Sequence, residues 1–293
     1  MKTGWLLVNG FLATQKFTEH YDWLRQAAQR RGISLVLKTG DALLQDCNGF
    51  LNPALSAEKP DFVLFWDKDV RLALALEKMG FRLFNSAKAV ALCDDKSLTY
   101  LALKGKMAMP RTVFAPMTYP ATGYPDLSFV KEAVRALGLP LVIKECYGSF
   151  GRQVYLVHTE EEAQALAKRL AGTPFIMQAF IPSSFGKDVR LQVVGNRVIA
   201  AMLRHNESGD FRANITGGAC MSPFSPDEEM KRLAVRATAL LGLDFAGVDF
   251  LFGANGQPIL CEVNSNAHFK NLYDCTGVNA AEYIIEYIDE KTN

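Results

Sequence analysis

The sequence predicts an α/β and α+β architecture: an N-terminal lobe on a doubly wound parallel sheet, then a compact β-β-α-β unit and an antiparallel sheet with helices. Three observations lead there. Strand-like and helix-like patterns alternate over the first ninety residues, the pattern of a parallel sheet with crossover helices. Four prolines (110, 116, 120 and 125) then mark a loop-rich connection. Beyond it, short apolar runs alternate with turns and four helical patterns.

Trp5-Leu6-Leu7-Val8 reads as a buried strand, and residues 17–31 as a helix with Tyr21, Leu24, Ala27 and Ala28 at helical spacing and Gly32 as its stop. Ser34-Leu35-Val36-Leu37 is a second strand and Phe62-Val63-Leu64-Phe65-Trp66, entered through Pro60, a third. A short helix over 70–79 ends at Gly80, and Arg82-Leu83-Phe84 is a fourth strand. After the prolines come a helix (128–137), a strand (141–144), a glycine-containing turn, a strand (153–157), a helix (160–170) and a strand (175–178). The remainder reads as strands 188–194, 197–204, 247–252 and 258–263 with helices 226–241 and 280–289. Three units are expected: 1–90, 91–183 and 184–293. There is no internal repeat or low-complexity tract.

Composition narrows the function. With 293 residues and 49% apolar content the chain can bury sizeable cores, which excludes wholesale disorder. Lys and Arg total 32 against 31 acids, so the net charge of +1 argues against a nucleic-acid-coating protein. The six cysteines are scattered without a C-x-x-C pair, which favours free thiols in a reducing compartment over disulfides or a zinc site. Trp5–Val8 is too short for a signal h-region, and no apolar stretch approaches the ~20 residues of a membrane helix. A soluble, cytoplasmic protein without a membrane partner is expected. No two of the 22 glycines are spaced i, i+2, so G-x-G-x-x-G is absent; G-x-x-x-x-G-K-[ST], G-x-S-x-G and H-E-x-x-H are missing too.

What remains is polar residues in unexpected places. Residues 247–264 form a hairpin pattern, two apolar runs around Asn255-Gly256, with Asp249 and Glu262 inside the runs. In the register that pairs them they are directly opposite; slipped by two they are diagonal on one face, and Asn264 shares the face of Glu262 in either. Two carboxylates side by side in an apolar sheet repel unless a cation joins them, and all-oxygen ligands suit Mg²⁺. The plain alternative is a solvated edge face. Second, Lys144 ends an apolar strand just before Gly148-Ser149-Phe150-Gly151, a loop able to fold over phosphates with the lysine as point charge. The plain alternative is an edge-strand lysine and an ordinary turn. Third, Lys187-Asp188-Val189-Arg190, Arg204 and Gly209-Asp210-Phe211-Arg212-Ala213-Asn214 offer three arginines and an amide for an anionic centre, or else a solvated charged loop.

In this order the clusters resemble the ATP-grasp superfamily, specifically its RimK-like glutamate-ligase branch, from about Asn85 to the C-terminus. The carriers are Asn85-Ser86, Asp95-Lys96, Pro140–Lys144, Gly148–Gly151, Met177–Ile181, Asp188–Arg190, Gly209–Asn214, Gly247–Asp249 and Glu262-Val263-Asn264-Ser265. The resemblance implies a two-lobed ATP-grasp fold behind the N-terminal lobe, with ATP held between the lobes. It implies Lys96 and Lys144 at the phosphates, the loop containing Gly148, Ser149 and Gly151 closing over them, and Gln178, Ala179, Phe180 and Ile181 as an interlobe hinge whose backbone reads adenine. Asp188 would lie near the nucleoside, Arg212 and Asn214 at the phosphates with Arg204 nearby as catalytic cations and amide, and Asp249, Glu262 and Asn264 on Mg²⁺, with Mn²⁺ an alternative. The N-terminal lobe would help bind the acceptor. Two positions depart from the branch: Ala179 stands where a hinge Glu is usual, and Asn266-Ala267-His268-Phe269-Lys270 replaces a Ser-Pro-Gly continuation. His268 reads either as an acceptor-site residue or as a surface imidazole on a turn; Cys146 and Cys261 read as small buried apolar groups, and His20, His158 and His205 as structural.

The implied activity is a carboxylate–amine ligase that makes an acyl phosphate from ATP and a carboxylate, then an amide. A small amino acid such as glutamate would be joined to a peptide, protein tail or metabolite. Two alternatives stay open on sequence: a kinase or a ligase with another nucleophile on the same ATP residues, and a non-catalytic nucleotide-binding regulator. Oligomeric state is open as well.

Overall fold

The computed structural model describes residues 1–12, 14–213 and 220–293, with Lys16 in its backbone only. Its first sheet is parallel, in the order Ser34–Thr39, Thr3–Val8, Phe62–Trp66, Leu83–Phe84. Both faces of this sheet are covered, which is why its strands are continuous apolar runs. Leu6, Val8, Phe62, Leu64 and Trp66 pack under the helices Gln15–Arg30 and Ala280–Lys291. Trp5, Leu7, Val63 and Phe65 face the other way, onto the helix Val70–Lys78 and the start of the helix Ala87–Asp94. The doubly wound lobe is therefore as the sequence predicts, but one of its covering helices comes from the far end of the chain.

The middle sheet is antiparallel: Thr112–Phe114, Phe175–Ala179, Leu141–Glu145, Val154–Val157. It is backed by the helices Ser128–Leu137 and Glu160–Arg169 and has a core of its own around Val130, Ile143, Phe175 and Met177. The stretch read from its prolines as connection carries the edge strand Thr112–Phe114 of this sheet, a correction to the sequence reading. Three residues beside prolines show little strand pattern; pairing with Phe175–Ala179 makes the strand.

The third sheet has five antiparallel strands: Cys220–Pro223, Arg197–His205, Lys187–Val194, Phe245–Phe252, Pro258–Asn264. Val189, Leu191, Val248, Phe250, Leu260 and Val263 point from it into a core beneath the helix Glu228–Leu240, which Asp227 caps through Met230 N–H. The helices Ala87–Asp94 and Lys96–Leu103, which the sequence reading did not distinguish, pack on the same core through Ala89, Cys93 and Leu103. Among the described residues no helix is long and apolar enough to cross a membrane.

Candidate active site

A cavity of about 480 Å³ lies where the three sheets meet. It is lined by Lys96, Lys144, Gly148, Ser149, Gly151, Gln178, Ala179, Phe180, Ile181, Asp188, Arg204, Arg212, Asp249, Glu262 and Asn264, which are all the site residues expected from sequence except Asn214. Asn214 lies outside the described residues.

Sheet register builds the floor. Asp188 lies opposite Arg204, and Arg190, two residues along the same strand and so on the same face, lies opposite Asp249. The result is a square of two acids and two bases. Arg204 donates Nε and Nη2 to the two oxygens of Asp188, each at 2.6 Å, and Arg190 does the same for Asp249. Arg204 Nη2 also reaches Asp249 at 3.0 Å, joining the pairs. Burial raises the Asp249 carboxyl, but Arg190 and Arg204 outweigh it and hold the group below its ordinary value. The sequence reading offers Arg190 as one of three arginines for an anionic centre but gives it no role of its own in the site.

The hairpin supplies the other carboxylate. Asp249 pairs directly with Glu262, and Gly247 with Asn264, the first of the two registers considered. A β-bulge follows, because Phe250 pairs with Leu260 and Cys261 is left over. Leu260 and Val263 can therefore both enter the core although three residues apart, while Cys261 and Glu262 both face the cavity. Tyr100 braces the bulge by donating its hydroxyl to the Cys261 carbonyl at 3.0 Å. Cys261 is accordingly not the core cysteine expected from sequence; its Sγ lies 3.6 Å from Lys144 Nζ. Cys146 is buried as expected.

The donor set fits a hard divalent cation. Among the described residues Glu262 has only the Lys96 ammonium, at 3.8 Å, as an ion-pair partner, so its lone pairs are largely available. Asn264 adds a side-chain amide to the same cavity, whose oxygen is a neutral ligand. Asp249 is more committed, since three guanidinium donors already occupy its two oxygens.

Two lysines converge from the opposite side. Asp95 caps the helix Lys96–Leu103 through the N–H groups of Ser97 and Leu98, which places Lys96 in the first turn. Lys96 Nζ then donates to the carbonyls of Cys146 and Gly148, each at 3.4 Å. Lys144 leaves the strand Leu141–Glu145 beside Cys261; burial pulls its ammonium down, but Cys261, Tyr100 and Glu262 outweigh burial and raise it, so it stays charged. Between the lysines runs the glycine loop. Gly148 has φ +135°, and a Cβ there would lie 2.4 Å from Gln153 Oε1, so only glycine fits. Phe150, at φ 61°, is the strained residue of the turn. Arg212 Nη1 holds the loop by donating to the Gly151 carbonyl at 2.8 Å, while Asp210 orients its guanidinium from the other edge at 2.6 Å.

The strand Phe175–Ala179 is fixed by the Gln178 side chain, buried and donating to Thr112 Oγ1 at 2.9 Å. His268 lies on the cavity wall, its ring against His20, Phe17 and Phe150 at centroid distances of 4.6, 4.7 and 5.8 Å, so of the two sequence readings the surface imidazole is the one corrected. His20 is structural: its Nε2 accepts from the N–H groups of Phe269 and Lys270, at 3.0 and 3.1 Å.

Comparison with known proteins agrees with this geometry. Beta-citrylglutamate synthase B of Danio rerio is 32% identical over 225 residues, 76% of this chain and 54% of that protein. N-acetylaspartylglutamate synthase A of Homo sapiens is 30% identical over 75% of this chain and 56% of its own length, so the match spans about half of these vertebrate relatives. A probable alpha-L-glutamate ligase of Cellvibrio japonicus is 34% identical over 221 residues, 73% of this chain and 69% of that protein. Among solved structures, D-cycloserine synthetase DcsG shares the fold at a TM-score of 0.75 and 16% identity, across 99% of this chain and 100% of that one. A family model for the RimK-like ATP-grasp domain matches residues 94–288, and the chain belongs to that family.

Proposed function

We propose that this chain is an ATP- and Mg²⁺-dependent carboxylate–amine ligase of the cytoplasm, joining an amino acid or other amine to a peptide, protein or small-molecule carboxylate. The observation that carries the reading is the convergence of Lys96, Lys144, the glycine loop, Arg212 and the Asp249–Glu262–Asn264 face on one cavity.

A carboxylate is a poor acyl donor because oxide is a poor leaving group. Transfer of the γ-phosphoryl group to a carboxylate oxygen releases ADP and gives an acyl phosphate. The amine nitrogen then attacks the carbonyl carbon, and the C–O bond to phosphate breaks. Lys96, Lys144 and Arg212 neutralise the oxygens of the transferring group. Asp249, Glu262 and Asn264 would hold Mg²⁺, which supplies Lewis-acid charge to the phosphates when bound. The glycine loop covers the reacting atoms and keeps water from the acyl phosphate. Arg204 and Arg190 fix Asp249, and residues 178–181 read the adenine through backbone groups.

The test is ADP and phosphate release with Mg-ATP over pairs drawn from a panel of carboxylates and amines, with mass spectrometry of the products. Glutamate, named in the matched relatives, heads the panel. A new amide mass tied to phosphate release is expected, and Glu262→Ala is expected to abolish turnover while the protein stays folded. A phosphorylated carboxylate or alcohol as end product would mean a kinase, and full activity in Glu262→Ala would refute the metal assignment.

A further inference from the structure

One end of the cavity is built by the N-terminal lobe, whose Lys68 meets Ser149 of the glycine loop. Its sheet places Ser34–Thr39 on one side of Thr3–Val8 and Phe62–Trp66 on the other, so the winding direction reverses between those two neighbouring strands. Ligands of open α/β sheets bind in the crevice at the carboxyl ends of such a pair. Val8 is paired with Trp66, so Asn9 and Asp67 leave the two strands side by side, and both line the cavity.

The Asp67 carboxylate accepts the Lys68 backbone N–H at 2.6 Å and further hydrogen bonds from the Asn9 side chain and the Asp69 backbone, yet among the described residues no lysine or arginine pairs with it. The neighbouring Lys68 ammonium is committed to Asp94 at 2.9 Å and to Ser149 Oγ at 3.4 Å. Asn266 donates Nδ2 to the Asp67 carbonyl at 2.6 Å, which fixes the orientation of its amide and leaves Oδ1 buried with no donor among the described residues. Around these acceptors stand Phe17, Tyr21 and Trp66. Burial, with Asp67 adding to it, pushes the Tyr21 hydroxyl up to about 12, and burial likewise raises the Asp67 carboxyl above its ordinary value against the hydrogen bonds it accepts.

Among the described residues, a carboxylate without a cation and a buried amide oxygen without a donor, walled by rings, match a group that brings N–H donors and one positive charge. We propose that this crevice is the subsite for the amine substrate, taken as a primary ammonium on an apolar or aromatic body. Asp67 and Asn266 receive the N–H donors, and Phe17, Tyr21 and Trp66 pack the body, with the ring faces adding cation–π attraction. Glutamate is a poor fit because its side-chain carboxylate would face Asp67 without a cation. This rests on the ligase reading above and narrows it.

The test titrates the full chain, saturated with Mg²⁺ and a non-hydrolysable ATP analogue, with L-phenylalaninamide and with L-glutamate by calorimetry. Phenylalaninamide is expected to bind at least about tenfold more tightly than glutamate. Asp67→Asn is expected to weaken it about tenfold and to leave affinity for the ATP analogue unchanged. Phe17→Ala should weaken phenylalaninamide more than glycinamide, which has the same head group without the ring. Tighter binding of glutamate, or phenylalaninamide affinity within about twofold of the parent in Asp67→Asn, overturns the subsite. Parallel product analysis separates the two claims. Amide formation that strongly prefers glutamate would sustain the ligase and sink the amine assignment. The expected probe binding, with no amide formed from any amine, would keep the crevice and sink the ligase.

Discussion

Replacing Arg190 with methionine tests whether the acid–base square is what holds Asp249 in place. The side chains of Arg190 and Asp249 are 15% and 5% exposed, so this is not a surface pair worth ~0–1 kcal/mol. Breaking a buried pair from one side typically costs roughly 3–5 kcal/mol, because the surviving charge stays buried. Here Arg204 Nη2 remains on Asp249 at 3.0 Å, which sets the expectation at the lower end, about 3 kcal/mol. The assay is urea unfolding of the nucleotide-free protein, parent against variant. Adding Asp249→Leu to the variant removes the stranded carboxylate and should return part of the loss while abolishing turnover. Mg²⁺ should stabilise Arg190→Met more than the parent, since Asp249 then has two lone-pair sites to offer. Stability of Arg190→Met within about 0.5 kcal/mol of the parent would refute the reasoning, as would a double variant no more stable than the single one.

Lys144→Ala should lower nucleotide affinity about tenfold to a hundredfold by removing a charge-assisted contact to phosphate; unchanged affinity in calorimetry would count against that role. Asn85→Ala should cost at least about 3 kcal/mol in denaturant unfolding, and a change below about 1 kcal/mol would contradict the accounting. Its buried amide donates to the carbonyls of Phe245 and Ser265, each at 3.1 Å, and accepts from the N–H groups of Asp244 and Phe245, stitching the first lobe to the third sheet. Gly247→Ala would put a Cβ 2.5 Å from that of Ala267 and should cost about 1–3 kcal/mol while displacing Asn266 and reducing turnover. Combining it with Ala267→Gly should restore both, and a fully active single variant would show that the segment is free to move.

Much of this was legible in the sequence for physical reasons. The five-residue run Phe62–Trp66 is apolar throughout because both faces of its sheet are covered, and this is what marks a parallel lobe. The Asp249 and Glu262 pairing was legible to within one register step because a hairpin leaves few choices. The bulge at Cys261 was not, although apolar Leu260 and Val263, an odd number of residues apart, are its trace: only the core beneath decides that both must point inward. Arg190 was visible beside Asp188, but its partner depends on pairing between strands distant in the chain. Asp67 read as an ordinary loop residue and Asn266 stood out only as part of the segment that departs from the branch; what distinguishes them, a carboxylate without a cation and an amide oxygen without a donor among the described residues, exists only once folded.

The packing also explains how such a site can be both ordered and open to substrates. The first and third sheets share one core, in which Leu6 and Phe62 meet Val194, Phe245, Phe269 and Ile284. The middle sheet keeps a separate core, and the buried cluster of Tyr100, Cys146 and Ile176 is the apolar tie between its strands and the helix Lys96–Leu103. One wall of the cavity, with Lys144, the glycine loop and residues 178–181, therefore belongs to a unit that is nearly self-contained. What spans the cavity to that wall is mostly polar: Arg212 on the Gly151 carbonyl, Lys68 on Ser149 Oγ and Lys96 on the Gly148 carbonyl. Across the cavity each of these cations meets a neutral oxygen, while Asp210, Asp94 and Glu262 are their respective carboxylate partners. Phosphate oxygens arriving between the walls would offer the same donors a further anionic partner. On the proposed reading, closing the loop over nucleotide would then strengthen the contacts between the walls without disturbing either core.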